Sequence, residues 1–198
     1  MVETYRAALD EGRLDSYRKR RWARAEESSS WLTEGALAGL AEKQASDLYR
    51  GSGSNQAKDF KQNSIEDIRE SLDFLLYDAT KLEGRFEECA ADDGGFKLAG
   101  AGKQFISYLM CLRDPGLFAM WTPYSERLLR MVGLYHPGLR GRNLGMGYMD
   151  LLDALQVVRV RAGLPDFRLV DEFAFANTRP RKSDAARFRM TGRNTPDS

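Results

Sequence analysis

The chain has 198 residues, of which 42% are hydrophobic and 30% are charged, and its formal net charge is +1. This length suits one well-buried domain, or two small helical lobes around a shared core, and the composition is typical of soluble globular proteins. No apolar run approaches the ~20 residues that span a bilayer, so we expect no membrane partner.

The composition also excludes several kinds of chemistry. His136 is the sole histidine, and Cys89 and Cys111 are the two cysteines. Zinc fingers, four-thiolate iron–sulfur clusters and Ser-His-Asp triads need more of these side chains, so we expect no metal and no cofactor. The few cysteines, and a charged N-terminal segment (residues 1–24) unlike a secretion signal, predict a reducing, cytoplasmic location.

Basic residues are concentrated near both ends of the chain. Residues 13–24 contain six Arg or Lys residues against Asp15 alone, and residues 177–198 contain six against Asp184 and Asp197. Segregated charge of this kind favours phosphate contacts even when the net charge is small, although solvated surface charge is the alternative. We therefore divide the chain into one helical domain, residues 1–176, and a basic C-terminal tail, residues 177–198.

Apolar residues recur at helical spacing and no strand pattern is evident, which predicts an all-α protein. In chain order, helices are expected over residues 31–49, 64–76, 82–90, 103–112, 125–132 and 148–161, with a final turn over 167–175. Glycine-rich or polar segments are expected to form loops over residues 51–54, 55–63, 92–95 and 138–147. Gly163 and Pro165 are expected to end the last long helix.

A glycine pattern precedes the predicted helix that begins at Lys103. Residues 98–102 read Leu-Ala-Gly-Ala-Gly, which has the form Leu-x-Gly-x-Gly. Glycines let a phosphate approach the backbone, and the free amides and dipole of a helix N-terminus attract it. A simple tight turn is the alternative. The pattern predicts DNA binding by Gly100, Ala101, Gly102, Lys103 and Gln104.

The segment from residue 98 to 134 resembles the helix-hairpin-helix superfamily of DNA glycosylases. That family follows Leu-Pro-Gly-Val-Gly with a buried helix, then Val-Asp-Thr-His and an Arg-rich helix. Here residues 121–130 read Trp-Thr-Pro-Tyr-Ser-Glu-Arg-Leu-Leu-Arg. The resemblance implies a helix-hairpin-helix glycosylase fold with its core at about residues 97–133 and two small helical lobes flanking a DNA-binding cleft.

Two positions depart from the family pattern. Gln104 falls where bifunctional members carry the Schiff-base lysine, and Thr122 falls where the family's catalytic aspartate lies. An amide cannot form a Schiff base, so a monofunctional enzyme that leaves abasic sites is expected. Residues 120–122 read Met-Trp-Thr. They are similar to the Ile-Trp-Asn-like motif of a divergent branch found among bacterial phage-defence genes, in which the aspartate is often replaced.

The same resemblance implies a function and a partner. One functional member of the divergent branch removes glucosylated hydroxymethylcytosine, which implies antiviral excision of a modified base from double-stranded phage DNA. The first alternative is a non-catalytic DNA-recognition module of a defence or restriction system, acting with a partner nuclease. The second is a helical protein in which the glycine pattern is merely a turn.

Cleavage of an N-glycosidic bond calls for a carboxylate near the developing positive charge on the sugar. Glu34 is a candidate because residues 31–34, Trp-Leu-Thr-Glu, are similar to the Trp-Leu-Ser-Glu of adenine-excising family members. Asp150 and Asp153 are further candidates, or helix-dipole partners, early in the last long helix. Thr122 is a candidate for positioning a water molecule or contacting the sugar.

Aromatic and amide side chains complete the candidate site. Trp121 and Tyr124 are expected to stack on an extruded base, with core packing as the alternative for Trp121. Asn55 and Gln56 are expected to fill the hole that the extruded base leaves, because amides can pair with the orphaned partner. An ordinary surface loop is the alternative for these two residues.

Overall fold

The computed structural model describes residues 1–135 and 143–179. These residues form twelve helices and no strand, which confirms the all-α prediction. The helices are α1 (Val2–Asp10), α2 (Asp15–Arg21), α3 (Ala25–Trp31), α4 (Glu34–Leu37), α5 (Glu42–Ser52), α6 (Ala57–Phe60), α7 (Ile65–Tyr77), α8 (Leu82–Ala90), α9 (Lys103–Arg113), α10 (Pro123–Met131), α11 (Leu144–Ala162) and α12 (Phe167–Thr178). None of the helices in these two segments is long and apolar enough to cross a membrane.

One continuous core joins the helices. Phe86 on α8 stacks on Tyr148 of α11 with ring centroids 4.1 Å apart, and Trp121, just before α10, lies 6.1 Å from Phe86. Burying each large side chain contributes roughly 1.5–3 kcal/mol. Helices α8 and α11 come so close that a Cβ on Gly145 would lie on the carbonyl of Glu83. This packing fixes the position at which α10 begins.

The single helix predicted over residues 31–49 is wrong. Trp31 ends α3, and the chain then forms the short helix α4 and the longer helix α5. The guanidinium of Arg69 donates to the carbonyl of Leu40 from Nε at 3.0 Å and Nη2 at 2.8 Å, which satisfies an acceptor at the break. The amide of Ala41 donates to Oε1 of Gln44 at 2.8 Å and starts α5. Long-range pairing therefore outweighs the helical propensity of this segment.

The loop predicted over residues 55–63 contains the short helix α6. Its last residue, Phe60, is buried and stacks on Tyr49 of α5 with ring centroids 4.2 Å apart. The charged N-terminal segment is also helical, since Tyr5 of α1 and Tyr17 of α2 are buried. The polar and charged composition of both segments gave no sign of these helices. One or two buried aromatic side chains are nevertheless enough to anchor each segment to the core.

Several predicted helix ends are confirmed. The side chain of Ser64 accepts from the amide of Asp67 at 3.0 Å and caps α7, as its sequence pattern predicts. Gly163 ends α11 with a left-handed φ of 64°. The glycine-rich loop predicted over 138–147 is wrong for its last four residues, because α11 begins at Leu144. Residues 138–142 of this loop lie outside the described segments. Most of the basic tail, residues 180–198, also lies outside them.

Candidate nucleic-acid interface

The glycine pattern forms a tight turn that is fastened to the segment between α5 and α7. The hydroxyl of Tyr49 donates to the carbonyl of Gly100 at 2.8 Å and accepts from the amide of Gln56 at 3.1 Å. The side-chain amide of Asn63 pairs with both backbone groups of Ala99, at 2.9 and 3.0 Å. These bonds place the Asn55–Gln56 pair beside the turn, although the two segments are distant in sequence.

The turn ends at the N-terminus of α9, an eleven-residue helix. Gly102 precedes the helix in an extended conformation, and a Cβ there would meet no atom within 4 Å. The backbone amides of Lys103 and Gln104 donate to no acceptor among the described residues. Unpaired amides at a helix N-terminus, open to solvent, suit an anion such as phosphate.

This helix end opens into a cleft of about 870 Å³ that collects residues from five parts of the chain. Most of the residues predicted to bind DNA line it, and they meet arginines that the sequence prediction did not assign to the site. None of the lining residues that the structure describes is Asp or Glu. The lining residues are Arg20, Arg21, Arg50, Gly53, Ser54, Asn55, Gln56, Gly100, Gly102, Lys103, Gln104, Pro123, Tyr124, Arg127 and Arg179.

None of the five arginines was assigned individually to the site from the sequence, although three lie in the basic segments expected to contact phosphate. Arg20 and Arg21 belong to the basic run of residues 13–24, and Arg179 belongs to the basic tail. That clustering was the available signal, because segregated positive charge favours phosphate contacts. Nothing local distinguished Arg50 and Arg127 from other surface arginines. Their place in the cleft depends on how α5 and α10 pack.

Lys103 is held at the edge of the cleft by Glu126 of α10. Its Nζ donates to Glu126 Oε1 at 2.7 Å and lies 4.2 Å from the ring centroid of Trp121. The same carboxylate accepts from Trp121 Nε1 at 2.8 Å and from Arg130 Nη2 at 3.0 Å. Burial alone would raise the pKa of Glu126, but these hydrogen bonds outweigh burial and lower it.

Replacing Glu126 with Gln is expected to raise the affinity of the cleft for an oligonucleotide and to destabilise the fold slightly. The variant releases Lys103 to contact a phosphate, and the lost, partly exposed ion pairs are worth about 0.2–1 kcal/mol. Because the folded pKa of Glu126 is lowered, its ionised form stabilises the fold above the unfolded pKa. That contribution is lost as pH falls through the folded pKa.

Denaturant unfolding of parent and Glu126→Gln proteins at neutral and at strongly acidic pH measures this contribution. The stability gap between the two proteins should narrow in acid, where both have a neutral side chain at position 126. A gap that is equally large at both pH values would contradict the assignment.

Trp121 and Thr122 lie behind the wall of the cleft instead of lining it. Both are 1% exposed. The ring of Trp121 belongs to the core, as the packing alternative anticipated, and Tyr124 is the one of the two predicted stacking residues that lines the cleft. Thr122 caps α10: its hydroxyl accepts from the amide of Ser125 at 3.1 Å, and Ser125 Oγ accepts from the amide of Thr122 at 2.8 Å. Ala101, predicted to bind DNA, is also buried, at 2% exposed.

The predicted catalytic carboxylates do not come together at the cleft. Glu34 is exposed at the start of α4, and Asp153 is exposed on α11. Asp150 is half-buried on α11, and none of the three lines the cleft. The four residues predicted to be catalytic, including the buried cap Thr122, therefore do not form one site in this structure.

A buried carboxylate, Asp171 of α12, lies next to the floor of the cleft. It accepts from the hydroxyl of Tyr17 at 2.7 Å, and its Oδ2 lies 3.9 Å from Nε of Arg21. Burial raises the pKa of Asp171. Burial alone would lower the pKa of Arg21, but the charge of Asp171 together with the side chains of Tyr17, Tyr108 and Tyr124 outweighs burial and raises it, so the guanidinium is charged. This pair escaped prediction because its members are 150 residues apart in sequence.

Comparison with protein-family models, with curated proteins and with solved structures finds no match to this chain.

Proposed function

We propose that the protein binds DNA in the cleft and holds a nucleotide there. The observation that carries this proposal is the cleft lining itself, which brings together six Arg or Lys side chains and no Asp or Glu among the described residues. Lys103, Arg50 and Arg21 each face a carboxylate behind the lining, whereas Arg20, Arg127 and Arg179 form no ion pair among the described residues. Such a surface attracts a polyanion, because these unpaired cations can replace counterions on phosphates. We also propose that the helices adopt the helix-hairpin-helix glycosylase fold, in which two small helical lobes flank the DNA-binding cleft.

The helix N-terminus supports the same conclusion independently of side-chain charge. The amides of Lys103 and Gln104 have no acceptor among the described residues, and a Cβ on the preceding Gly102 would meet no atom within 4 Å. Backbone amides at a helix end contact a phosphate oxygen without reading base sequence. We therefore expect the hairpin, meaning the turn of residues 98–102 and the N-terminus of α9, to position DNA, and the rest of the cleft to recognise the nucleotide that enters it.

Base excision is the second candidate function, and the volume of the cleft favours it. A volume of about 870 Å³ is within the range of small-molecule sites and leaves room for a base that carries a bulky substituent. Tyr124 is half-exposed on the wall and offers a stacking surface. Excision of a modified cytosine also needs a carboxylate at the sugar, and a recognition module needs none.

Substitution of Gly102 by Trp is expected to weaken DNA binding by about tenfold or more, to a similar degree for all sequences. The indole would cover the amides of α9, and losing a charge-assisted hydrogen bond costs roughly 1.5–3 kcal/mol. Because the extended backbone and open surroundings of Gly102 tolerate a side chain, the fold should persist. Fluorescence anisotropy with duplexes of unrelated sequence measures the effect.

Arg127→Gln serves as the matched comparison for Gly102→Trp. It removes one cation, so the slope of log affinity against log salt concentration should become shallower by about one. Equal affinities of the parent and Gly102→Trp proteins would contradict the hairpin contact. A parent affinity that does not change with salt would contradict phosphate binding altogether.

Incubation of the parent protein with phage DNA that carries glucosylated hydroxymethylcytosine, beside unmodified DNA, separates the two functions. Abasic sites and free base from the modified DNA alone would establish a glycosylase. Binding without release from either DNA would establish a recognition module and exclude excision of this base.

A further inference from the structure

The floor of the cleft contains a buried guanidinium that is short of hydrogen-bond acceptors. Arg21 is 4% exposed, and among the described residues its side chain donates one hydrogen bond, from Nη1 to the thioether sulfur of Met120 at 3.0 Å. Its Nε has no acceptor, since Asp171 is 3.9 Å away. An arginine carries five N–H donors, and buried donors are nearly always paired. The shortage indicates a place for an anionic ligand.

The remaining nitrogen, Nη2, is next to the open part of the cleft. Gly53 ends α5 with a left-handed φ of 72°, and a Cβ there would lie 2.8 Å from Arg21 Nη2 and 3.4 Å from Gln104 Nε2. All three residues line the cleft. Because Gly53 has no side chain, a ligand in the cleft can approach both nitrogens.

The surroundings of Arg21 hold its guanidinium in place without satisfying its donors. The ring of Tyr17 lies 4.9 Å from its Cζ, and the carboxylate of Asp171 supplies a compensating charge. Asp171 Oδ1 also makes no hydrogen bond within normal bonding distance, although the Trp22 side chain is close enough to lower the pKa of this carboxyl. A guanidinium fixed in this way loses little conformational entropy when it binds a second anion.

We propose that Arg21 binds a phosphate group at the floor of the cleft, in a subsite separate from the hairpin amides. The planar fork of a guanidinium matches two phosphate oxygens. The side-chain Nε2 of Gln104 donates one hydrogen to the carbonyl of Ser52 at 2.8 Å and has a second hydrogen to offer beside the guanidinium. This inference rests on the proposed DNA binding and deepens it. The phosphate belongs to a strand end or to a nucleotide drawn into the cleft from within a strand, and both present at least two non-bridging oxygens to a guanidinium.

The test compares the parent with the double variant Arg21→Gln/Asp171→Asn, which removes both charges and so leaves no unpaired buried ion. Inorganic phosphate at constant ionic strength should raise the Tm of the parent, because a ligand that binds the folded state stabilises it. The double variant should lose most of this rise. Arg21→Lys, which keeps a charge but lacks the fork, should show a reduced rise if the double variant does not fold.

Two short oligothymidylates, one with a 5′-phosphate and one with a 5′-hydroxyl, identify the source of the phosphate. A loss of about tenfold in affinity on removing Arg21, confined to the 5′-phosphate strand, assigns the subsite to strand ends. An equal loss with both strands assigns it to internal phosphates. Arg50→Gln is the comparison for loss of one cation at the exposed rim.

Two results would overturn the subsite. One is an equal phosphate-dependent Tm rise in the parent and the double variant; the other is a loss of oligonucleotide affinity no larger than that of Arg50→Gln. If DNA binding persists in either case, the proposed function stands and the subsite fails. If Arg21-dependent phosphate binding is present but the parent binds no DNA, the subsite stands and the proposed function fails.

Discussion

Substitution of Asp171 by Ala is expected to lower the free energy of unfolding by about 3–5 kcal/mol, because it leaves the buried charge of Arg21 without compensation. Arg21 and Asp171 are 4% and 3% exposed, and Arg21 Nε is buried without an acceptor, so water in the cleft reaches only the Nη2 side of the guanidinium and does not replace the lost carboxylate. The hydroxyl of Tyr17 also loses its acceptor. Denaturant unfolding followed by circular dichroism measures this loss of stability. The loss should be a large fraction of the free energy of unfolding that is usual for a domain of this size.

The double variant Arg21→Met/Asp171→Leu is the control for this effect. A buried ion pair replaced by apolar side chains of similar volume is often neutral or stabilising, so the double variant should recover most of the lost stability. If Asp171→Ala alone were as stable as the parent, Arg21 would have to be hydrated, and the argument for an unsatisfied guanidinium would fail. The same variants thus test both the fold and the cleft floor.

Substitution of Gly100 by Ala is expected to cost about 2 kcal/mol or more. Gly100 has a φ of 70°, where L side chains are strained, and its Cβ would lie 2.6 Å from the carbonyl oxygen of Gln56 and 2.7 Å from the amide of Phe60. The turn would have to separate from the segment that carries Asn55 and Gln56. Thermal unfolding and DNA affinity should therefore both fall.

Gly102→Ala is the matched control, since it changes the other glycine of the same pattern. Its backbone is extended and a Cβ would meet no atom within 4 Å, so stability should remain close to that of the parent. Equal destabilisation by the two substitutions would show that the pattern acts as a unit. The structure indicates that the two glycines have different roles: Gly100 permits the turn, and Gly102 leaves space in front of α9.

The sequence by itself determined the helical class, most helix positions after residue 64, and the pattern at residues 98–104. These features follow from local rules: apolar residues at helical spacing, a capping side chain at Ser64, and glycines where the chain must turn or end. The break at Leu40 escaped these rules, because the acceptor exposed there is satisfied by Arg69 on another helix.

Only the tertiary structure decided which charged residues share the cleft. Packing brought Arg20, Arg21, Arg50, Arg127 and Arg179 to the cleft beside the glycine turn, while it left Glu34, Asp150 and Asp153 away from the lining. It also placed Trp121 in the core and used Thr122 as a cap. Local sequence rules act within about one helical turn, whereas the convergence of side chains depends on how helices distant in sequence pack against one core.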